Sequence, residues 1–144
     1  MEKSFPSAYI TEKGEKALRG GHPWVFSDEV TEVRGRYSNG DLVNVFSKKE
    51  RYLGTGFIND FSKIRIRLIS RNANDRFDDE FWKRRVRYAI DYRKTVMPGE
   101  DFLCCRLIFG EADFFPGLTV DRFGDILSVQ SLSLGIERRK DVII

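Results

Sequence analysis

The pattern of apolar and polar positions changes character near residue 75. Before it come three short runs, "LVNVFS", "YLGTGFIN" and "KIRIRLIS", separated by the polar turns "KKER" and "NDFS". In the last, Ile64, Ile66 and Leu68 alternate with Lys63, Arg65 and Arg67, which places the two sets on opposite faces of a strand. Ahead of these runs, "AYITEKGEKALR" starts with a short apolar stretch and continues as a basic helical turn or two from Glu15 to Arg19, stopped by Gly20-Gly21. His22 precedes a proline, which disfavours its α conformation, so "HPWVFSDEV" reads as extended. Several short strands at this spacing indicate a small β-barrel or sandwich rather than parallel βαβ units.

After the connector "RNANDRF" the period becomes helical. The spacing predicts a helix over about 78–95, with Asp78 as its cap, Asp79 and Glu80 in its first turn, and Arg93 and Lys94 in its last. Trp82, Val86, Ala89 and Ile90 form its apolar stripe. Leu118 and Val120 precede the turn Asp121–Asp125, and Ile126, Leu127 and Val129 follow it, which predicts a hairpin over about 117–132. "GIERRKDVII" then reads as the start of another helix, and the chain stops inside that pattern, as a truncated domain would. The class is α+β, with one unit over 1–74 and a second over 75–144.

Composition narrows the function classes. With 144 residues, 41% of them hydrophobic, the chain can bury roughly 70% of its unfolded surface without a disulfide or metal staple. No apolar run approaches the ~20 residues that span a bilayer, and "MEKSFPSAYI" lacks a leader pattern, so a cytoplasmic protein without membrane partners is expected. One histidine and the adjacent Cys104 and Cys105 leave no zinc ligand set. The two thiols lie in the apolar run "FLCCRLIF" and are expected to be buried, reduced and structural. The net charge of +3 is mild, but residues 1–76 carry 14 basic and 10 acidic side chains against 11 and 12 in the remainder. A polyanion would therefore favour the N-terminal half.

The candidate chemistry follows this division. Gly54-Thr55-Gly56 is the single Gly-x-Gly, but it sits inside a strand pattern, where glycine marks a bulge or close packing rather than a phosphate loop. Lys63, Arg65 and Arg67 make a cationic row about 13 Å long, able to touch two or three phosphates. The same row also fits the solvated face of an outer strand protected by charge. Lys13, Lys16 and Arg19 extend this patch on the preceding helix, with His22 at most a contact beside it. Trp24, Phe26, Tyr52 and Phe57 could stack on unpaired bases, although most are expected in the core. Glu111, Asp113 and Asp121, with Arg122, surround a Pro-Gly turn and could edge an active site, or be the ordinary polar dressing of a turn.

Taken together, "KALRGGHPWVFSDEV", "GDLVNVFSKKERYLGTGFIN" and "KIRIRLIS" resemble the N-terminal PUA domain of the bacterial 23S rRNA methyltransferases, whose best-known branch is cytosine-C5 specific. "YAIDYR" and "RLIFGEADFFPGLTVDRFGDILSVQ" are similar to the small linker domain that follows in that family. The resemblance implies a PUA-like small β-barrel over 1–74 that binds 23S rRNA, then an α/β linker domain over 75–144 with a C-terminal hairpin. It also implies an S-adenosylmethionine-dependent methyltransferase domain beyond residue 144. The cofactor and catalytic residues would lie there, so this chain by itself is expected to hold neither and to be inactive. Cys104 and Cys105 do not inherit the nucleophile's role. A structural alternative is that these units mediate homodimerisation, and an enzymatic one that the hairpin carboxylates complete the active site.

"GHPWVF" thereby reads as a fold signature. Pro23 extends the chain after the helix stop, Trp24 and Phe26 share one face and enter the barrel, and Val25 faces the other side.

Overall fold

The computed structural model describes residues 5–144; the first four residues of the expected N-terminal domain lie outside it. The chain divides into two compact units, the first ending at Asn74 and the second beginning at Asp75.

In the first unit the elements are β1 (Ser7–Ile10), α1 (Glu12–Arg19), β2 (Trp24–Phe26), β3 (Val30–Arg34), β4 (Leu42–Phe46), β5 (Tyr52–Ile58) and β6 (Ile64–Ser70). They form a six-stranded sheet in the order β2-β6-β5-β4-β1-β3. All neighbours are antiparallel except β1 and β4, which run parallel. The expected small barrel takes the form of a curled half-barrel with β2 and β3 at its two edges. Its concave side buries Ala8, Ile10, Val25, Val43, Val45, Ile58, Ile66 and Leu68, and Leu18 of α1 closes onto that core. Thr11 starts α1 by accepting the Gly14 N–H (3.2 Å). Gly21 ends it in the left-handed region at φ +97°.

The strand glycines have a packing role. A Cβ on Gly54 would lie 2.9 Å from the Ser70 carbonyl oxygen, and one on Gly56 would collide with the Arg67 carbonyl. The ladder shifts register at Thr55/Gly56, so the missing side chains let β5 and β6 approach and bend together.

Period-two alternation holds along β2, but with the faces exchanged. Val25 is fully buried in the core, while Trp24 is half-buried and Phe26 exposed. The expectation that the two aromatic rings enter the barrel is therefore corrected. The concave side of a tightly curled sheet has room for a β-branched side chain, and the convex side accommodates the indole and phenyl rings.

The second unit contains α2 (Asp79–Val96), β7 (Cys104–Phe109), β8 (Leu118–Phe123), β9 (Ile126–Ser131), and the short helices α3 (Leu134–Glu137) and α4 (Lys140–Ile143). The strands form an antiparallel sheet in chain order, with β8 and β9 joined through Gly124 at φ +63°. Asp78 caps α2 by accepting the Phe81 N–H (2.9 Å). Helix α2 packs against β7 and α4. It buries Trp82 and Ala89 of the expected stripe, leaves Val86 and Ile90 half-buried, and adds Phe81 and Arg93. Phe81 meets Trp82 edge to face at 4.9 Å, and Trp82 faces the fully buried Phe115 at 6.4 Å.

Cys104 is exposed and Cys105 half-buried, which corrects the expectation of two buried thiols. Only Leu107 and Ile108 of the run go inward, because β7 is an edge strand whose first residues precede the buried stretch. No helix among the described residues is long and apolar enough to cross a membrane.

Candidate nucleic-acid interface

The convex side of β2 and β6 brings together His22, Trp24, Phe26 and Arg67. Trp24 pairs with Arg67 across the ladder, and the Arg67 guanidinium lies over the indole at 5.7 Å. His22 stands edge-on to Trp24 at 5.7 Å and tilted against Phe26 at 6.1 Å. Its Nδ1 accepts the Trp24 N–H (3.2 Å), so the ring proton of the neutral imidazole sits on Nε2. His22 is thus exposed on this aromatic cluster with its Nε2–H available as a donor.

The cationic row is not uniform. Lys63 is exposed at the start of the strand, where its carbonyl accepts the Ser27 N–H (2.8 Å). Arg65 donates to Asp60 (2.9 Å) and to the Tyr37 hydroxyl (3.1 Å), and Tyr37 in turn donates to Asp60 (2.9 Å). Burial works against the Arg65 charge, but the bonds to Tyr37 and Asp60 outweigh it and hold the guanidinium above its ordinary pKa. Arg65 therefore braces the loop that precedes β6, while Lys63 is exposed and Arg67 is half-buried against Trp24.

Helix α1 packs on β2 with Lys13 and Lys16 exposed. Arg19 is exposed but bridged to Glu15 at 2.9 Å. The connector from α1 to β2 is held by Arg71, which donates to the Leu18 carbonyl (2.6 Å) and the His22 carbonyl (3.1 Å). Sequence reasoning missed Arg71; the only available signal was a cation just beyond a basic strand, and its partners lie about fifty residues away.

The carboxylates around the second unit's turn are each engaged. Asp113 receives Arg93 Nη2 (2.7 Å) and the Phe109 N–H (2.7 Å), with both side chains of that ion pair nearly buried. Arg93 also donates to the Arg106 carbonyl (2.7 Å). Asp121 receives Arg106 twice (2.8 and 3.2 Å), and that hydrogen bonding lowers its pKa, keeping it a carboxylate rather than a proton donor. Arg122 donates to the Gly124 carbonyl (2.9 Å) and lies over Phe102 at 4.7 Å. Glu111 is half-buried in the 3₁₀ turn that holds Asp113. Asp113 and Asp121 serve the fold, through two different arginines.

The same test applies to the methyl-donor cofactor that the sequence resemblance implies. The one Gly-x-Gly is filled by the β6 backbone, so Gly54 and Gly56 cannot cradle it. Among the described residues no cluster of three or more His, Cys, Asp or Glu could hold a metal ion either.

Residues 8–71 match the family model described as "PUA-like domain". Over 96% of its length the chain is 33% identical to ribosomal RNA large subunit methyltransferase I of Pseudoalteromonas translucida, and over 90% it is 37% identical to the protein of that name from Alteromonas mediterranea. It aligns with the N-terminal part of these relatives and spans 35% and 33% of their lengths. A solved structure described as a SAM-dependent methyltransferase from Streptococcus mutans superposes with a TM-score of 0.78 at 20% identity, over 95% of this chain and 35% of that one. A second, described as a methyltransferase complexed with SAH, gives 0.79 at 20% identity. These two likenesses concern the fold.

Proposed function

We propose that this chain is the RNA-recognition part of an S-adenosylmethionine-dependent methyltransferase of large-subunit rRNA, with cytosine C5 as the modified position. The observation that carries the reading is the convex face of β2 and β6. There Arg67 over Trp24, the His22 donor and Lys63 put phosphate-binding cations beside a stacking surface in a PUA-like unit. Phosphate contacts of this kind position an RNA, while base identity is read elsewhere. The chain itself supplies placement and affinity rather than methyl transfer.

Fluorescence-anisotropy titration of the 144-residue chain with a large-subunit rRNA fragment, at several salt concentrations, tests this. The Lys63→Ala/Arg67→Ala double variant is expected to weaken binding and to flatten the salt dependence by about one to two phosphate contacts. Unchanged affinity and slope would remove this face from the interface.

A second reading, homodimerisation through the second unit, is favoured by the exposed apolar side chains of β9, Ile126 (67%) and Leu127 (51%). Sedimentation of the RNA-free chain separates the two, since a dimer without RNA affinity fits only this alternative.

A further inference from the structure

The second unit carries a cleft that neither the sequence pattern nor the convex face of the first unit accounts for. It lies between α2 and the 3₁₀ turn Gly110–Asp113, with a volume of about 340 Å³, within the range of small-ligand pockets. Its α2 wall is set by helical spacing: Phe81, Arg84, Arg85 and Tyr88 project over one arc of the helix. The opposite wall ends in Phe114.

Three observations separate this cleft from an ordinary surface groove. Phe114 adopts the left-handed region at φ +61° and is 60% exposed, so a bulky aromatic residue is held in a strained conformation with its ring in solvent rather than in the core. Tyr88 is likewise 65% exposed, which gives two aromatic side chains at the rim. The half-buried Arg85 guanidinium lies 5.4 Å from the Phe114 ring and 4.5 Å from the buried Phe81 ring, and donates to the Phe114 carbonyl (3.1 Å). Burial lowers the Arg85 pKa to about 10, opposed by Asp75 and assisted by Arg84, so at neutral pH it remains a cation in a poorly solvated place. Arg84, exposed on the same wall, adds a second guanidinium.

A pair of exposed rings with two guanidiniums set into the cleft is the chemistry that seats an unpaired nucleotide. The base stacks on a ring, and the phosphate takes the guanidiniums. A docked peptide would call for an apolar floor along its length, whereas Arg84 and Arg85 line this cleft together with Asp75 and Asp113. We infer that this cleft binds one unpaired nucleotide of an RNA strand, with the base stacked on Phe114 or Tyr88 and the phosphate held by Arg84 and Arg85. The inference rests on the proposed RNA reading for the class of ligand, but on a different set of residues for the site.

The test uses the 144-residue chain and a short single-stranded oligoribonucleotide carrying 5-bromouridine, with affinity read by anisotropy and the contact mapped by photo-crosslinking. Phe114→Gly removes the ring and the left-handed strain together, so it is expected to weaken binding about tenfold without lowering the melting temperature. Arg84→Ala, an exposed substitution, is expected to weaken binding severalfold. A crosslink at Phe114 or Tyr88 in the parent chain supports the site.

Wild-type affinity in both Phe114→Gly and Arg84→Ala overturns the inference, whether the cleft is empty or takes a protein segment instead. If those variants bind normally while Lys63→Ala/Arg67→Ala binds poorly, the cleft fails and the convex-face reading stands. The reverse pattern upholds the cleft and removes the convex face. No binding of any RNA by the parent chain overturns both.

Discussion

Val25 and Val129 each lie on a strand at the edge of a sheet, β2 in the first unit and β9 in the second, yet Val25 is fully buried and Val129 is 39% exposed. The difference comes from what each edge has behind it. β2 curls over a core of aliphatic side chains to which α1 adds Leu18. β9 is the far strand of a three-stranded sheet whose long helix, α2, packs against β7. Ile126 and Leu127, pointing to opposite faces of β9, are both exposed. The first unit thus keeps its apolar alternation on the inside, while the second holds itself together around α2, partly through a nearly buried ion pair. An apolar residue on an edge strand is therefore no measure of burial; the layer packed against that strand decides it.

The sharpest way to break this contrast is Arg93→Ala. It leaves the nearly buried Asp113 carboxylate without its cation and the Arg106 carbonyl without its donor. A loss of about 3–5 kcal/mol is expected, typical of breaking a buried pair from one side. Denaturant unfolding followed by Trp82, which lies on the same helix, measures it; a loss under about 1 kcal/mol would mean that the pair does not organise the second unit. Next in size is one substitution made twice. Val25→Ala should cost about 2 kcal/mol through the cavity it leaves, and Val129→Ala no more than about 0.5 kcal/mol. Equal costs in equilibrium unfolding would erase the difference between the two edges.

The smallest effect concerns Asp121. Its folded-state pKa is lowered by Arg106, so the stability it adds is present above the ordinary carboxylate range and is lost as pH falls through the folded value. The pair is solvent-facing, so the loss should be slight. NMR titration of the Asp121 carboxyl provides the cleaner readout: Arg106→Ala should move its midpoint upward, towards that of an ordinary aspartate. An unmoved midpoint would mean that Arg106 does not hold the carboxylate.

The elements that could be read from the chain were those with a local cause. β4, β5 and β6 follow from alternation between polar turns, and α2 follows from Asp78 and the helical period behind it. What escaped depends on distant partners. β3, "VTEVR", is short and polar and becomes a strand by pairing with β1, which also runs parallel to β4. Alternation assigned Trp24 and Phe26 to one face correctly but could not say which face was inside, and ring size pointed the wrong way. Arg93 reads as a favourable charge at a helix end, and only the fold brings Asp113 to it. Of the candidate interface, the basic row was legible, whereas the commitment of Arg65 to Tyr37 and Asp60 was not, since Tyr37 lies 28 residues away. The cleft on α2 was hidden for a related reason: Phe114 looks like core in "DFFPG" until its backbone conformation turns it outward.

Gly56 has neither charge nor ring, yet it stands directly behind the cationic strand, where any side chain would meet the Arg67 backbone. A survey of this surface limited to lysines, arginines and aromatics would pass over it. An alanine there would leave every candidate RNA contact in the sequence and still push Arg67 and Trp24 out of alignment, because the spacing of this candidate face is set by an atom that is missing on its far side.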